Sequence, residues 1–228
     1  MSEQMKSAVI SAAVDDLGWR YMLGLVRTAV PVASLAAAAG AAERVTAAAG
    51  DDADGHLWLD VRADRLIVSV QTRTVARITD TDLDLVRRIT AALAEHGLRT
   101  EPGRASSARP VQMLEIAIDA IDIAAIRPFW KAVLGYVDEP GHTGPTDPLV
   151  DPYDQAPALW FQQMDAPRPQ RNRIHFDMSV SPAEAPGRIE AALAAGGTMV
   201  TDVAAPAFWV LADAEGNEIC VCTWEGRD

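Results

Sequence analysis

Two periods of apolar and polar residues run along the chain, one near 3.6 and one of two, and they alternate as segments. Early on, PVASLAAAAGAAERVTAAA (31–49) predicts a helix with Pro31 at its start, Val32, Leu35, Ala39 and Val45 as its stripe, and Gly50 as its stop. LWLDV (57–61) and LIVSVQT (66–72) flank a short polar stretch and predict a hairpin. Thr79-Asp80-Thr81-Asp82 then precedes Leu83, Val86, Ile89, Ala92 and Leu93 at helical spacing. Acidic groups there suit a helix N-terminus, and Gly97 closes the element. Trp19 to Val30 is read as a strand pair.

Beyond residue 110 one pattern occurs twice. QMLEIAID (112–119) reads as a strand and is followed by a helix over Ile123–Leu134 ending at Gly135. RIHFDMSV (173–180) reads as a strand and is followed by a helix over Ala183–Ala195 ending at Gly196-Gly197. The first copy returns through ALWFQQM (158–164). The second returns through FWVLA (208–212), a turn at Ala214-Glu215-Gly216-Asn217, and EICVCTW (218–224). The expectation is α+β architecture in two domains, 1–100 and 111–228, joined by a linker over 101–110 that is rich in Pro, Gly and Ser.

Charge narrows the partners. The net charge is -12, and it is uneven: 12 basic side chains face 14 acidic ones up to residue 105, and 8 face 18 beyond it. Such a field repels phosphate backbones and anionic membranes, so neither nucleic acid nor membrane is expected as a partner. No apolar run reaches the ~20 residues of a bilayer span, and MSEQMKSAVI lacks a signal-peptide layout, so a cytoplasmic protein is expected. Cys220 and Cys222, two apart on a strand, read as reduced thiols on one face.

Strand alternation sorts candidate chemistry. Leu114, Ile116 and Ile118 oppose Glu115, Ala117 and Asp119; Ile174, Phe176 and Met178 oppose His175, Asp177 and Ser179; Ile219 and Val221 oppose Glu218, Cys220 and Cys222. The apolar faces take the helices. The other faces collect Glu115, His175 and Glu218, two carboxylates and an imidazole suited to a divalent metal or to proton transfer. An antiparallel sheet with one wet face shows the same alternation without any site.

Residues 111–228 resemble the vicinal oxygen chelate superfamily, also called the glyoxalase and bleomycin-resistance fold, and most nearly its glyoxalase-like subgroup. The likeness is carried by Leu114-Glu115-Ile116-Ala117-Ile118 with Asp122, by Phe129-Trp130 and Leu134-Gly135-Tyr136, by Asn172-Arg173-Ile174-His175-Phe176-Asp177, and by Asp213-Ala214-Glu215-Gly216-Asn217-Glu218-Ile219-Cys220. It implies two βαβββ modules enclosing a cleft, with one metal ligand on each of four strands in metal-dependent members. His175 and Glu218 match ligand positions of that pattern in residue type. Glu115 stands where the family usually has histidine, which makes the site more oxygen-rich. The fourth position falls in Leu159–Gln163, where Gln162 offers a carbonyl and Trp160 no ligand. With one divalent ion, a substrate oxygen would be polarised and an enolate or oxyanion stabilised, Glu115 or Glu218 serving as base. Without it, the cleft is a binding pocket lined by Trp160, Phe208 and Trp209. His142, in a turn-rich loop, could cover the cleft mouth or simply be solvated.

Residues 15–97 resemble the pterin-4a-carbinolamine dehydratase family, through Gly18-Trp19-Arg20, Leu25-Val26-Arg27-Thr28, Ala42-Glu43-Arg44-Val45, the hairpin Trp58 to Thr72, and Ile78-Thr79-Asp80-Thr81-Asp82. The resemblance implies an α/β sandwich and a site built on a His-His-Pro run plus a later histidine. Here only His56 matches the pair, and Arg73 stands at the later position, where it cannot exchange protons near neutral pH. Assembly as a homodimer is the plainer role for this domain, with Arg73 left to hold a carbonyl or carboxylate. Three functions stay open: a glyoxalase-like lyase or isomerase acting on a small oxygenated molecule, a non-catalytic small-molecule binding or resistance protein, and a 4a-hydroxytetrahydrobiopterin dehydratase.

Overall fold

Two units divide the chain, Met1–Met113 and Leu114–Asp228, and each is α+β. The computed structural model describes residues 5–101, 111–168, 170 and 173–226. The predicted linker therefore lies outside the described residues except for Glu101, which bridges to Ala29.

The first unit opens with a helix that the pattern did not reveal, α1 (Ser7–Val14), burying Ile10 and Val14. A tight turn through Leu23 and Gly24, at φ of 45° and 79°, joins β1 (Arg20–Met22) to β2 (Leu25–Pro31). Pro31 thus ends a strand rather than starting a helix. Ser34 caps α2 (Leu35–Ala49), its side chain accepting from the Ala37 N–H at 3.2 Å. That helix buries Ala38, Ala41, Val45 and Ala49, while Leu35 is exposed. The expected stripe is corrected at Leu35 and Ala39, because methyl-sized side chains face the core. After the single turn α3 (Ala53–His56) come β3 (Leu57–Val61), β4 (Arg65–Val70) and α4 (Asp80–Glu95). The sheet runs β1-β2-β4-β3, antiparallel throughout. Thr79 and Asp82 form the capping box that starts α4.

The second unit builds one connection twice. β5 (Glu115–Ala120), α5 (Ile123–Leu134), β6 (Val137–Asp138), β7 (Leu149–Val150) and β8 (Ala158–Gln163) make a sheet in the order β5-β8-β7-β6, with β5 and β8 parallel. β9 (Phe176–Ser179), α6 (Ala185–Ala194), β10 (Thr198–Thr201), β11 (Phe208–Ala212) and β12 (Glu218–Cys222) repeat this as β9-β12-β11-β10, with β9 and β12 parallel. Each is a βαβββ module. The pair shares a core around Trp130, whose ring meets Phe129 and Phe176 edge-on at centroid distances of 5.5 and 5.9 Å.

Gly197, just beyond α6, is pressed against this core: a Cβ there would meet two Phe129 ring carbons at 2.3 and 2.4 Å. Phe129 is fully buried and has no space to retreat into. Gly197→Ala is expected to destabilise the unit by about 1–3 kcal/mol through overpacking, read from urea denaturation. Among the described residues no helix is long and apolar enough to cross a membrane.

Candidate functional site

The parallel register of β5 and β8 sets Glu115 opposite Ala158, Ala117 opposite Trp160 and Asp119 opposite Gln162. Alternation then puts Glu115, Asp119, Trp160 and Gln162 on one face of the first sheet, and Ile118, Leu159 and Phe161 in the core behind it. In the second sheet Cys220 pairs with Asp177 and Cys222 with Ser179. Carrying this register back one step places Glu218 beside His175.

A cavity of about 880 Å³ opens beside β5 and the start of β12. Glu115 and Asp119 from the first module and Glu218 from the second line it, over an apolar floor that includes Trp130 and Phe176, with Arg173 at its side. The structure thus brings two of the three predicted groups, Glu115 and Glu218, into one hollow. His175 is placed differently. It is not among the residues lining the cavity, although its neighbours Ile174 and Phe176 are.

Around the imidazole lie Asp177 and Cys220, which alternation sorts to polar faces with His175 and Glu218. His175 Nε2 lies 3.6 Å from Asp177 Oδ1, with both side chains more than half exposed. One ligand atom each from His175, Asp177 and Cys220 falls within a 4.8 Å span. The Cys220 thiol is buried and pushed up to about 12, first by desolvation, then by its hydrogen bond to Asp177 and by the negative charges of Asp177 and Glu218. Glu218 therefore touches both places, lining the cavity and acting on the thiol. This donor set suits a divalent cation: imidazole and thiolate with one carboxylate. Glu115 and Glu218 are not part of that cluster.

The other predicted residues separate. Phe208 shares a face with Cys220 and Cys222 and packs on them, both thiols being buried as expected of small apolar groups. Trp209 points the opposite way, into a groove against α6 with Ile189 and Leu193. Trp209 therefore packs on α6 and is not among the residues lining the cavity of β5. Trp160 and Gln162 lie on the face of Glu115 but outside the cavity lining, and Gln162 donates to the Gln163 carbonyl at 3.3 Å. His142 is exposed, its N–H donating to the Glu139 carbonyl. Glu139 is a further acid of this neighbourhood. Burial raises its carboxyl, His142 opposes that, and the charges of Glu115 and Asp147 add to it. Its place in a loop gave no periodic signal.

The run Asp213–Glu218 has a structural meaning apart from Glu218. Asp213 is buried and accepts from the Trp130 indole N–H at 2.9 Å, from the N–H groups of Glu215 and Asn217 at 2.9 Å each, and from the Asn217 amide at 2.8 Å. Glu215 reaches to the N-terminus of α5, its Oε1 accepting from the N–H groups of Ile121 at 2.9 Å and Asp122 at 2.6 Å. The turn therefore fastens the second module to the first and delivers Glu218 at the cavity.

In the first unit His56 Nδ1 lies 2.7 Å from Oδ1 of Asp82, whose carboxylate is fully buried. Arg73 stacks over Trp58, its guanidinium carbon 4.8 Å from the ring centroid. Asp82, which the sequence presented only as a capping residue, is thus also the group that orients His56.

The second unit is thus two βαβββ modules with a cavity lined by β5 and the start of β12. Within it, residues 115–222, nearly the whole second unit, match the family model described as a glyoxalase-like domain. No curated protein sequence matches the chain. Among solved structures it is similar to a glyoxalase/bleomycin resistance protein/dioxygenase family enzyme from Burkholderia phytofirmans PsJN, with 18% identity over 48% of this chain and 95% of that one, at a TM-score of 0.40. A fosfomycin resistance protein from Mesorhizobium loti shows 9% identity over 49% and 90%, at a TM-score of 0.38. A transcriptional coactivator/pterin dehydratase from Brucella melitensis shows 17% identity over 40% and 98%, at a TM-score of 0.35.

Proposed function

We propose that the second unit is a lyase or isomerase acting on a small oxygenated molecule held in the cavity between its modules. The observation that carries this is the meeting of Glu115 and Glu218, from different modules, in one hollow of about 880 Å³ over an apolar floor. A hollow of that size encloses a small ligand, and the floor excludes water from one side of it. Glu218 takes a proton from the carbon next to a carbonyl, and the electron pair of that C–H bond moves onto the carbonyl oxygen as an enolate. Arg173 lies at the cavity wall, where its charge favours the oxygen that becomes negative. Glu218, now protonated, returns that proton at a second carbon, while Glu115 carries the hydroxyl proton from one substrate oxygen to the other. A divalent ion, if bound, would be held by His175 and would supply electrophilic polarisation to an oxygen that reaches it. The first unit serves assembly, as one half of a homodimer.

Proton abstraction can be tested without knowing the product. Incubated in D₂O with a panel of α-hydroxy carbonyl and 1,2-dicarbonyl compounds, the chain is expected to exchange the α-hydrogen of at least one, followed by proton NMR. Glu218→Gln should slow that exchange by about 10²–10⁴-fold with ligand affinity kept. Tight binding with no exchange in the unaltered chain would overturn the catalytic reading in favour of sequestration.

A further inference from the structure

We propose that His175, Asp177 and Cys220 bind a divalent cation of borderline softness, zinc above all, with a coordination position left open. This deepens the proposed function, resting on it for the use of the ion but not for the ion's binding.

The placement follows from backbone register. Asp177 and Cys220 are direct partners across the parallel pair β9 and β12, and His175 is two residues before Asp177 on the same face. Their three ligand atoms lie within 4.8 Å of one another, and the His175 and Asp177 atoms are 3.6 Å apart. Tetrahedral zinc, with bonds of about 2.0–2.3 Å, spaces its ligand atoms about 3.3–3.8 Å apart, so only a small closure is required. Two of the three side chains can make it: His175 is 53% and Asp177 60% exposed, whereas Cys220 is fixed in the sheet. Imidazole and thiolate select against magnesium and calcium, which prefer oxygen donors in larger number. Three protein ligands with two on an exposed face leave the fourth position to water or to an oxygen of the substrate. Glu218, in register beside His175, also lines the cavity.

The full chain, stripped with a chelator and dialysed, would be titrated with zinc by calorimetry and with cobalt(II) by absorption. One equivalent should bind, and cobalt should give the intense near-ultraviolet band of thiolate-to-metal charge transfer. Cys220→Ser should abolish that band and weaken zinc binding at least tenfold, and Cys222→Ser should change neither. Because Cys220 is buried, the exposed variants His175→Ala and Asp177→Asn provide a second measure, each expected to weaken zinc about 10–100-fold with the thermal melting of the metal-free chain unchanged. Absence of the band, or an ion kept by Cys220→Ser but lost in Glu115→Gln, would overturn the assignment. α-Hydrogen exchange without the band leaves the proposed function standing and removes this site; the band without exchange does the reverse.

Discussion

Asp213→Ala is expected to cost the second unit about 3–5 kcal/mol. The carboxylate is 3% exposed and accepts four hydrogen bonds, two backbone and two side-chain. Removing it strands the Trp130 indole N–H inside the core and three further donors at the turn. Each orphaned buried donor costs about 1–3 kcal/mol, reduced here by water reaching the turn side. With roughly 4 °C lost per kcal/mol for a unit of this size, its melting temperature should fall by about 12–20 °C. Asp213→Asn should fall between: Oδ1 still serves both backbone N–H groups and the Asn217 amide can flip, but Trp130 faces an NH₂. A drop under about 1 kcal/mol for Asp213→Ala would mean that the indole finds another acceptor.

Asp82→Ala should do comparable damage in the first unit. Its Oδ1 holds His56 at 2.7 Å, and its Oδ2 accepts from the Thr72 N–H and hydroxyl at 3.1 and 2.7 Å and from the Thr79 N–H and hydroxyl at 2.7 and 3.0 Å. One fully buried carboxylate thereby ties the end of the sheet to the start of α4. The expected loss is about 3–5 kcal/mol, from orphaned donors and the broken capping box together. Hydrogen exchange should show lost protection in residues 56–72 and at the beginning of α4, with peptides of residues 114–226 unaffected. Protection retained throughout would show that solvent satisfies these donors.

Elements with a strong periodic face or a distinct cap were legible from the chain alone: α4 through Thr79 and Asp82, α5 through its apolar spacing, and β5 and β12 through alternation. What escaped had no period to show. β6 and β7 are two residues each, and the core face of α2 is mostly alanine, which spacing alone cannot tell from its exposed alanines. Pro31 fits a helix start and a strand end equally well by its fixed φ, and the β2 pairing decided it.

The site follows the same division. Glu115 and Glu218 both line one cavity, and alternation along β5 and β12 places each on its polar face. Asp177 and Cys220 were sorted to the correct faces, yet their meeting depends on which residue of β12 stands opposite which residue of β9, a register set by the α6 crossover and the packing of Phe176. Phe208 and Trp209 separate, Phe208 onto the two thiols and Trp209 into the groove beside α6. The Asp213–Glu218 run drew notice for its last residue, whereas most of its side chains hold the turn.

The clasp of Glu215 on the first turn of α5 has a consequence for the doubled design. At the corresponding turn of the first module, Asp151 likewise accepts from three backbone N–H groups, those of Tyr153, Gln155 and Ala156. Two residues on, where the second module carries Glu215, stands Tyr153, 78% exposed. The twofold relation of the halves is one of backbone path and not of chemistry. A tandem of two first halves would retrace the strands and lack the carboxylate that seats one upon the other, so neither half is a spare for its twin.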